Sequence, residues 1–205
     1  RVVPSPVPQG IVELKEIQRF LNEGYVVVAG VGGGSPGYFG ENGAWRDVEA
    51  VIDKDWTLNV MADAVGSEKV AIVTGRPYLV TGFGTASEQP IRQVDAAAVE
   101  PLIAEGHVQG GMIPKVRSSK WFLEQGDEAA RERRSVVITD GEHLREALEG
   151  RAGTRIGWPV VKDGGDKGTA LQTLPLSDIL PLLPSAGPIL QHILSPAEIA
   201  VGSGV

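Results

Sequence analysis

Residues 25–36 decide the fold class: Tyr25-Val-Val-Val-Ala29 is followed at once by Gly30-Val-Gly-Gly-Gly-Ser-Pro36. Five consecutive apolar residues are too few for a stable helix, and the lack of polar alternation predicts a strand buried on both faces. Other segments with strand character lie at residues 69–74, 78–81, 135–139 and 153–156. Strands of this apolar kind are typical of a mainly parallel sheet.

Helical periodicity fills the segments around these strands. The predicted helices cover residues 11–23, 53–65, 95–105, with a kink near Pro101, 114–125 and 142–149. Because helices alternate with strands, the predicted fold class is α/β, with a mainly parallel open sheet and helices on both faces. Ligands of such sheets bind at the carboxyl ends of the strands, which indicates the loops after Ala29, Thr74 and Thr139. Residues 37–47 are predicted to be a loop.

The composition of the 205 residues is that of a soluble globular protein, with 42% hydrophobic and 22% charged side chains. A net charge of −7 argues against nucleic acid or an anionic membrane as a partner. No apolar run approaches the roughly 20 residues that a membrane span needs. The chain has no cysteine and three scattered histidines, so no metal site of its own is expected, and the expected location is the cytoplasm.

Gly32, Gly33 and Gly34 follow the first predicted strand. Glycines at such a position let backbone N–H groups close on an oxyanion, although the same residues also suit a tight turn. The residues alone leave both interpretations open.

Two lysines stand at predicted helix starts: Lys54 lies between Asp53 and Asp55, and Lys115 follows Pro114. The positive end of the helix dipole repels a lysine, whereas it suits the two aspartates. An anionic ligand such as a phosphate, bound between the two helix starts, would explain both lysines. Two solvated surface lysines are the alternative.

Several blocks, taken in order, resemble the carbamate kinases of the amino acid kinase superfamily. The match covers residues 1–156, and its most distinctive parts are Val-Glu-Ala-Val-Ile-Asp-Lys-Asp at 48–55 and Pro-Lys-Val at 114–116. The other matching blocks are Val2–Pro6, Ile11–Glu13, Val28–Gly34 with Pro36, Phe83–Gly84, Glu105–His107, Val137–Thr139, Leu148–Gly150 and Gly153–Ile156.

This resemblance implies transfer of a phosphoryl group between ATP and carbamate, often run from carbamoyl phosphate and ADP toward ATP. It implies that Lys54 and Lys115 bind phosphate, that Asp55 organises these lysines, and that Gly32–Gly34 form a glycine loop near the transferred group. ATP or ADP would be the nucleotide, carbamate or carbamoyl phosphate the small-molecule substrate, and Mg²⁺ would bridge the nucleotide phosphates.

The resemblance concerns only the C-terminal, nucleotide-binding half of the family. The Gly-Gly-Asn loop that helps to bind the acceptor is absent, and Thr74–Tyr78 and Gly110–Lys115 depart from the usual family patterns. We therefore expect a truncated form, acting as a homo-oligomer or with a partner that carries the N-terminal half. The alternative is a non-catalytic nucleotide-binding or regulatory module that has lost transfer activity.

Residues 157–205 lie outside the match and form the second predicted unit. They contain six of the fourteen prolines and only six charged residues. We expect a loosely structured, Pro- and Gly-rich appendage with at most one short helix.

Overall fold

A computed structural model describes residues 2–30, 32–158, 193–195 and 199–203. The strands in chain order are β1 (Val27–Val28), β2 (Gly37–Phe39), β3 (Trp45–Asp47), β4 (Lys69–Val73), β5 (Leu79–Thr81), β6 (Gln89–Ile91), β7 (Gln93–Asp95), β8 (Ser135–Thr139), β9 (Thr154–Gly157), β10 (Ile193–Ser195) and β11 (Ile199–Ser203). The helices are α1 (Leu14–Asn22), α2 (Lys54–Ala64), α3 (Val99–Ala104), α4 (Met112–Glu124), α5 (Glu128–Arg133) and α6 (Leu144–Leu148).

The main sheet has seven strands in the order β1-β10-β11-β4-β8-β9-β7. The pairs β11–β4, β4–β8 and β7–β9 are parallel, and the pairs β1–β10, β10–β11 and β8–β9 are antiparallel. Two separate ribbons, β2–β3 and β5–β6, complete the strands. The predicted α/β class is confirmed, but the sheet is mixed and not mainly parallel, since three of its six strand pairings are antiparallel.

Strand β4 contributes side chains to two cores because successive residues of a strand point to opposite faces of the sheet. Val70 and Ile72 belong to the larger core, which also contains side chains of α2 and α4 such as Leu58 and Phe122. Ala71 and Val73 belong to the smaller core on the other face. Leu144 of α6 packs in that second core, so helices cover both faces, as predicted.

Helices α2 and α4 lie side by side on the face of the larger core, and Arg134 joins them near their C-terminal ends. Its guanidinium donates a hydrogen bond to the Phe122 carbonyl at 2.8 Å and lies 4.5 Å from the centre of the Phe122 ring. The same group forms an ion pair with Asp63 of α2 at 2.7 Å. We call these contacts the Arg134 clamp.

Two sequence predictions need correction. The strand at 25–29 was expected to be buried on both faces, but it is reduced to Val27–Val28 and Val28 is 57% exposed, because β1 is the edge strand of the sheet. Residues 37–47 were expected to be a loop, but they form the β2–β3 hairpin, in which Phe39 and Trp45 make an edge-to-face contact across the strands.

The predicted helix boundaries differ by a few residues from those observed. Helix α4 begins at Met112, two residues before the predicted start, so Pro114 lies within its first turn, where a missing N–H costs nothing. Pro101 likewise lies in the first turn of α3, where its missing N–H is tolerated, so it does not interrupt the helix. Helix α5 was not predicted at all.

The prediction for residues 157–205 lies largely outside the described residues. Within the described part of that segment, β10 and β11 join the main sheet, and β11 pairs in parallel with β4. The sequence analysis predicted neither strand.

Candidate functional site

Lys115 and Asp55, 60 residues apart in the sequence, form a buried ion pair between α4 and α2. The distance from Lys115 Nζ to Asp55 Oδ2 is 2.9 Å, and the two side chains are only 7% and 4% exposed. Burial raises the pKa of the Asp55 carboxyl above its ordinary value, and the Lys115 ammonium opposes that rise. Lys115 is therefore not one of the solvated surface lysines that the sequence left as an alternative.

Lys54 is the first residue of α2 and is half-buried. The helix begins here because Asp53 caps it: the Asp53 Oδ1 atom accepts a hydrogen bond from the Asp55 N–H at 2.9 Å. The charge of Lys54 also opposes the rise in the pKa of Asp55. Lys54 is thus the sequence neighbour of the acid that holds Lys115.

The glycine loop is fastened to the beginning of α2. Thr57 Oγ1 donates a hydrogen bond of 2.8 Å to the Gly33 carbonyl. A Cβ atom on Gly33 would lie 1.8 Å from the Ile52 carbonyl oxygen, so only glycine fits there. Gly32 and Gly34 have φ angles of +94° and +83°, a conformation that favours glycine. The loop is thus a tight turn whose position is set by the same helix that carries Lys54 and Asp55.

Three polar side chains that the sequence analysis did not single out lie fully buried between α2 and α4: Asn59, Ser118 and Ser119. The Asn59 amide donates to the Asp55 carbonyl at 2.9 Å and to Ser118 Oγ at 3.0 Å. Both serine hydroxyls donate to the Lys115 carbonyl. Their spacing was the available signal, because Asn59 follows Asp55 by four residues and the serines follow Lys115 by three and four.

The loop after β4 borders a cavity of about 370 Å³. Its wall includes the ion pair between Arg76 and Glu88, at 2.7 Å, and the ring of Tyr78. The residues around the cavity are Arg76, Pro77, Tyr78, Val80, Glu88 and Pro90. This concave surface lies at one of the three places where the sequence predicted a ligand.

The loop after β8 holds a local polar pair. The Asp140 carboxylate accepts a hydrogen bond from the His143 backbone N–H at 2.9 Å and lies 2.7 Å from His143 Nδ1. The hydrogen bond that the His143 imidazole donates to the Asp140 carboxylate raises the pKa of the imidazole above its ordinary value of 6.5. Because these contacts close the turn that leads into α6, we assign the pair a structural role.

Within the part of the chain that the structure describes, no three His, Asp or Glu side chains come together in a way that could hold a metal ion. In the same residues, no helix combines the length and the apolar character that crossing a membrane requires.

Comparison with known proteins identifies the family. The sequence model of the amino acid kinase family matches residues 4–139. The chain belongs to the amino acid kinase family. The carbamate kinases of Staphylococcus haemolyticus and Pyrococcus horikoshii are each 38% identical to it over 157 residues, which are 76% of this chain and 49% and 48% of those proteins.

Solved structures of the amino acid kinase fold agree with this result. The carbamate kinase from Giardia lamblia bound to AMP-PNP superposes with a TM-score of 0.68 at 31% identity, covering 76% of this chain and 48% of the Giardia chain. A protein from Aeropyrum pernix K1 also gives a TM-score of 0.68, at 33% identity, covering 77% of this chain and 49% of that protein. The chain thus spans about half the length of the curated relatives that it matches.

Proposed function

We propose that this chain is the nucleotide-binding half of a carbamate kinase-type phosphotransferase, which moves a phosphoryl group between ATP and carbamate. The similar proteins support the reaction class, since the relatives named above are carbamate kinases and one of their structures contains AMP-PNP, an ATP analogue. The chain itself contributes a kinase-family fold and a pair of lysines at one edge of its sheet.

The observation that carries this proposal is the burial of Lys115 against Asp55. Removing two charges from water costs so much that a buried ion pair seldom makes a fold more stable than apolar residues would. A role in binding explains why the pair is present. Among the described residues the Lys115 ammonium donates one hydrogen bond, to Asp55, so its other two N–H groups are available for phosphate oxygens.

Lys54 and the glycine loop extend the same site. Phosphoryl transfer depends mainly on positioning and on positive charge around the transferred group, and it requires no nucleophilic side chain from the enzyme. Lys54 and Lys115 would supply that charge, and the N–H groups of Gly32–Gly34 would contact phosphate oxygens. In this assignment Asp55 touches no phosphate and orients Lys115.

A cavity that could hold the nucleoside lies at the carboxyl ends of the same strands. Helices α2 and α4 precede the parallel strands β4 and β8, so their N-terminal ends lie at the carboxyl edge of those strands. The cavity after β4 opens at that edge, and its proline, valine and tyrosine side chains suit a planar base. We assign the base to this cavity.

Mg²⁺ would enter with the nucleotide. This ion is usually held by substrate phosphates together with one or two carboxylates and water. The residues of this chain would neutralise the remaining phosphate charge through the two lysines.

The chain matches only about half the length of its relatives, and this limits what it can contribute to binding the acceptor. In this proposal carbamate would be held by the part of the kinase that corresponds to the unmatched half of the relatives. The same observation favours one second candidate, a nucleotide-binding or regulatory module without transfer activity. A coupled assay that follows ATP formed from ADP and carbamoyl phosphate, run on the protein isolated from its natural source, separates the two, because only a kinase would form ATP.

Calorimetric titration of the folded chain with ADP and ATP, with and without Mg²⁺, tests the site. We expect Lys115→Ala and Lys54→Ala each to raise the Kd roughly 10- to 150-fold, since a lost charge-assisted contact costs about 1.5–3 kcal/mol. Lys120→Ala is the matched control, because Lys120 lies on the same helix but pairs with Glu124 at the surface. It should change the Kd by no more than about twofold.

Two results would contradict this assignment. Folded wild-type protein that gives no heat with either nucleotide would refute nucleotide binding. Equal losses in all three variants would mean that the lysines act only through net charge, and the site would then lie elsewhere.

A further inference from the structure

A second connection joins Asp55 and Lys115, in addition to their ion pair. The Asn59 amide donates to the Asp55 carbonyl and to Ser118 Oγ, and Ser118 donates to the Lys115 carbonyl at 3.2 Å. The side chains of Asp55 and Lys115 are therefore paired directly, while their backbones are linked through Asn59 and Ser118. Only the Asn59–Ser118 hydrogen bond in this second path crosses from α2 to α4.

We propose that Asn59 is a positioning residue that fixes the backbone of Lys115 relative to Asp55 and so keeps the lysine ammonium in place for phosphate. The effect of Asn59 on phosphate binding rests on the proposed function. The effect of Asn59 on the Lys115–Asp55 ion pair depends only on the contacts between α2 and α4.

The hydrogen bonding of Asn59 argues against a role in stability alone. Asn59 is fully buried, yet its Oδ1 atom has no hydrogen-bond partner among the described residues. A buried acceptor without a partner is costly, and an apolar side chain would avoid that cost. Exchanging Oδ1 and Nδ2 would point the oxygen at the Asp55 carbonyl, so the present amide orientation is the favourable one. What the asparagine gains is the cross-helix hydrogen bond.

The chain provides a matched control in the next residue. Ser119 is as buried as Ser118, and its hydroxyl donates to the same Lys115 carbonyl, at 2.7 Å. Unlike Ser118, it makes no hydrogen bond to α2 within the described residues. Ser118→Ala and Asn59→Ala both remove the cross-helix bond, whereas Ser119→Ala removes a hydrogen bond of the same kind inside α4.

The first measurement is the titration of the Asp55 carboxyl by carbon-13 NMR in the full chain. Lys115 lowers the pKa of Asp55, so a lysine that moves away should raise it further. Asp53 and Lys54 also act on this carboxyl and are unchanged in every variant. We expect a higher pKa in Asn59→Ala and Ser118→Ala, no further rise in the double variant, and no change in Ser119→Ala.

The second measurement is the affinity for ADP and for adenosine. Asn59→Ala and Ser118→Ala should weaken ADP binding about fivefold, the equivalent of one net hydrogen bond, and should leave adenosine binding unchanged. A general loss of structure would weaken both ligands. If Asn59→Ala does not fold, the smaller change Ser118→Ala carries the same test.

The outcomes separate this inference from the proposed function. An unchanged pKa of Asp55 in folded Asn59→Ala and Ser118→Ala, or an equal rise in Ser119→Ala, overturns the positioning role. A raised pKa in the two cross-helix variants of a chain that binds no ADP upholds the positioning role and refutes the proposed function.

Discussion

Replacing Lys115 by methionine removes one charge of the buried pair and keeps most of the side-chain volume. The Asp55 carboxylate, only 4% exposed, then lies in the core without its counter-charge. Breaking a buried pair in this way costs about 3–5 kcal/mol of the free energy of unfolding. We expect a loss of that size for Lys115→Met at pH 8, measured by urea unfolding followed by circular dichroism.

The loss should depend on pH in a defined direction. Burial holds the folded-state pKa of Asp55 above its unfolded value near 3.9, so the contribution of Asp55 to stability is present below about that pH and is lost as the pH rises through the folded pKa. Without Lys115 the folded pKa is higher still. The difference between Lys115→Met and wild type should therefore shrink as the pH is lowered from 8 to 5, because a raised pKa favours the neutral form of Asp55 in the variant.

A double variant checks the cause. Asp55→Asn combined with Lys115→Met leaves no buried charge, so it should recover more than half of the stability that Lys115→Met loses at pH 8. It should still bind nucleotide poorly. A loss below about 1 kcal/mol for Lys115→Met at pH 8, or an equal loss at both pH values, would refute the reasoning.

Gly33→Ala should reduce the free energy of unfolding by about 1–3 kcal/mol, because its Cβ would collide with the Ile52 carbonyl. This loss should be larger than the loss in Gly34→Ala, where the space is open and only the φ angle is strained. Urea unfolding in which Gly34→Ala loses more than Gly33→Ala would contradict the contact. His143 should titrate above 6.5 by NMR, and Asp140→Asn should return it toward that value. The contribution of His143 to stability is present below pH 6.5 and is lost as the pH rises through its raised pKa. A wild-type pKa of His143 at or below 6.5 would show that the pair with Asp140 does not form.

The sequence predicted features that depend on local chemistry. The start of α2 at Lys54 follows from the Asp53 cap, and the α/β class follows from apolar strands alternating with helices. Burial of β1 was wrongly predicted because exposure depends on where a strand lies in the sheet, and Val28 lies at its edge. The β2–β3 hairpin was missed because the contact between Phe39 and Trp45 forms only after the strands pair, while Gly-rich composition suggested a loop.

The candidate site likewise contains residues that the sequence predicted and residues that it did not. The two lysines stood out because a cation at a helix start opposes the helix dipole, but spacing alone could not show that Lys115 meets Asp55 across 60 residues. The resemblance supplied that relation. Asn59 and Ser118 carry no charge and match no motif, so the sequence offered only their spacing from Asp55 and Lys115, and the hydrogen bond between them depends on the packing of α2 against α4.

The Arg134 clamp has a mechanical consequence. Helices α2 and α4 are joined near their N-terminal ends by the Lys115–Asp55 pair and near their C-terminal ends by Arg134. Because contacts join the two helices at both ends, we expect them to open together, so that their amide hydrogens exchange as one cooperative unit. Any rearrangement of this region would therefore move α2 and α4 together, and the change in backbone angles would fall to the glycine loop and the chain segments that lead into the two helices.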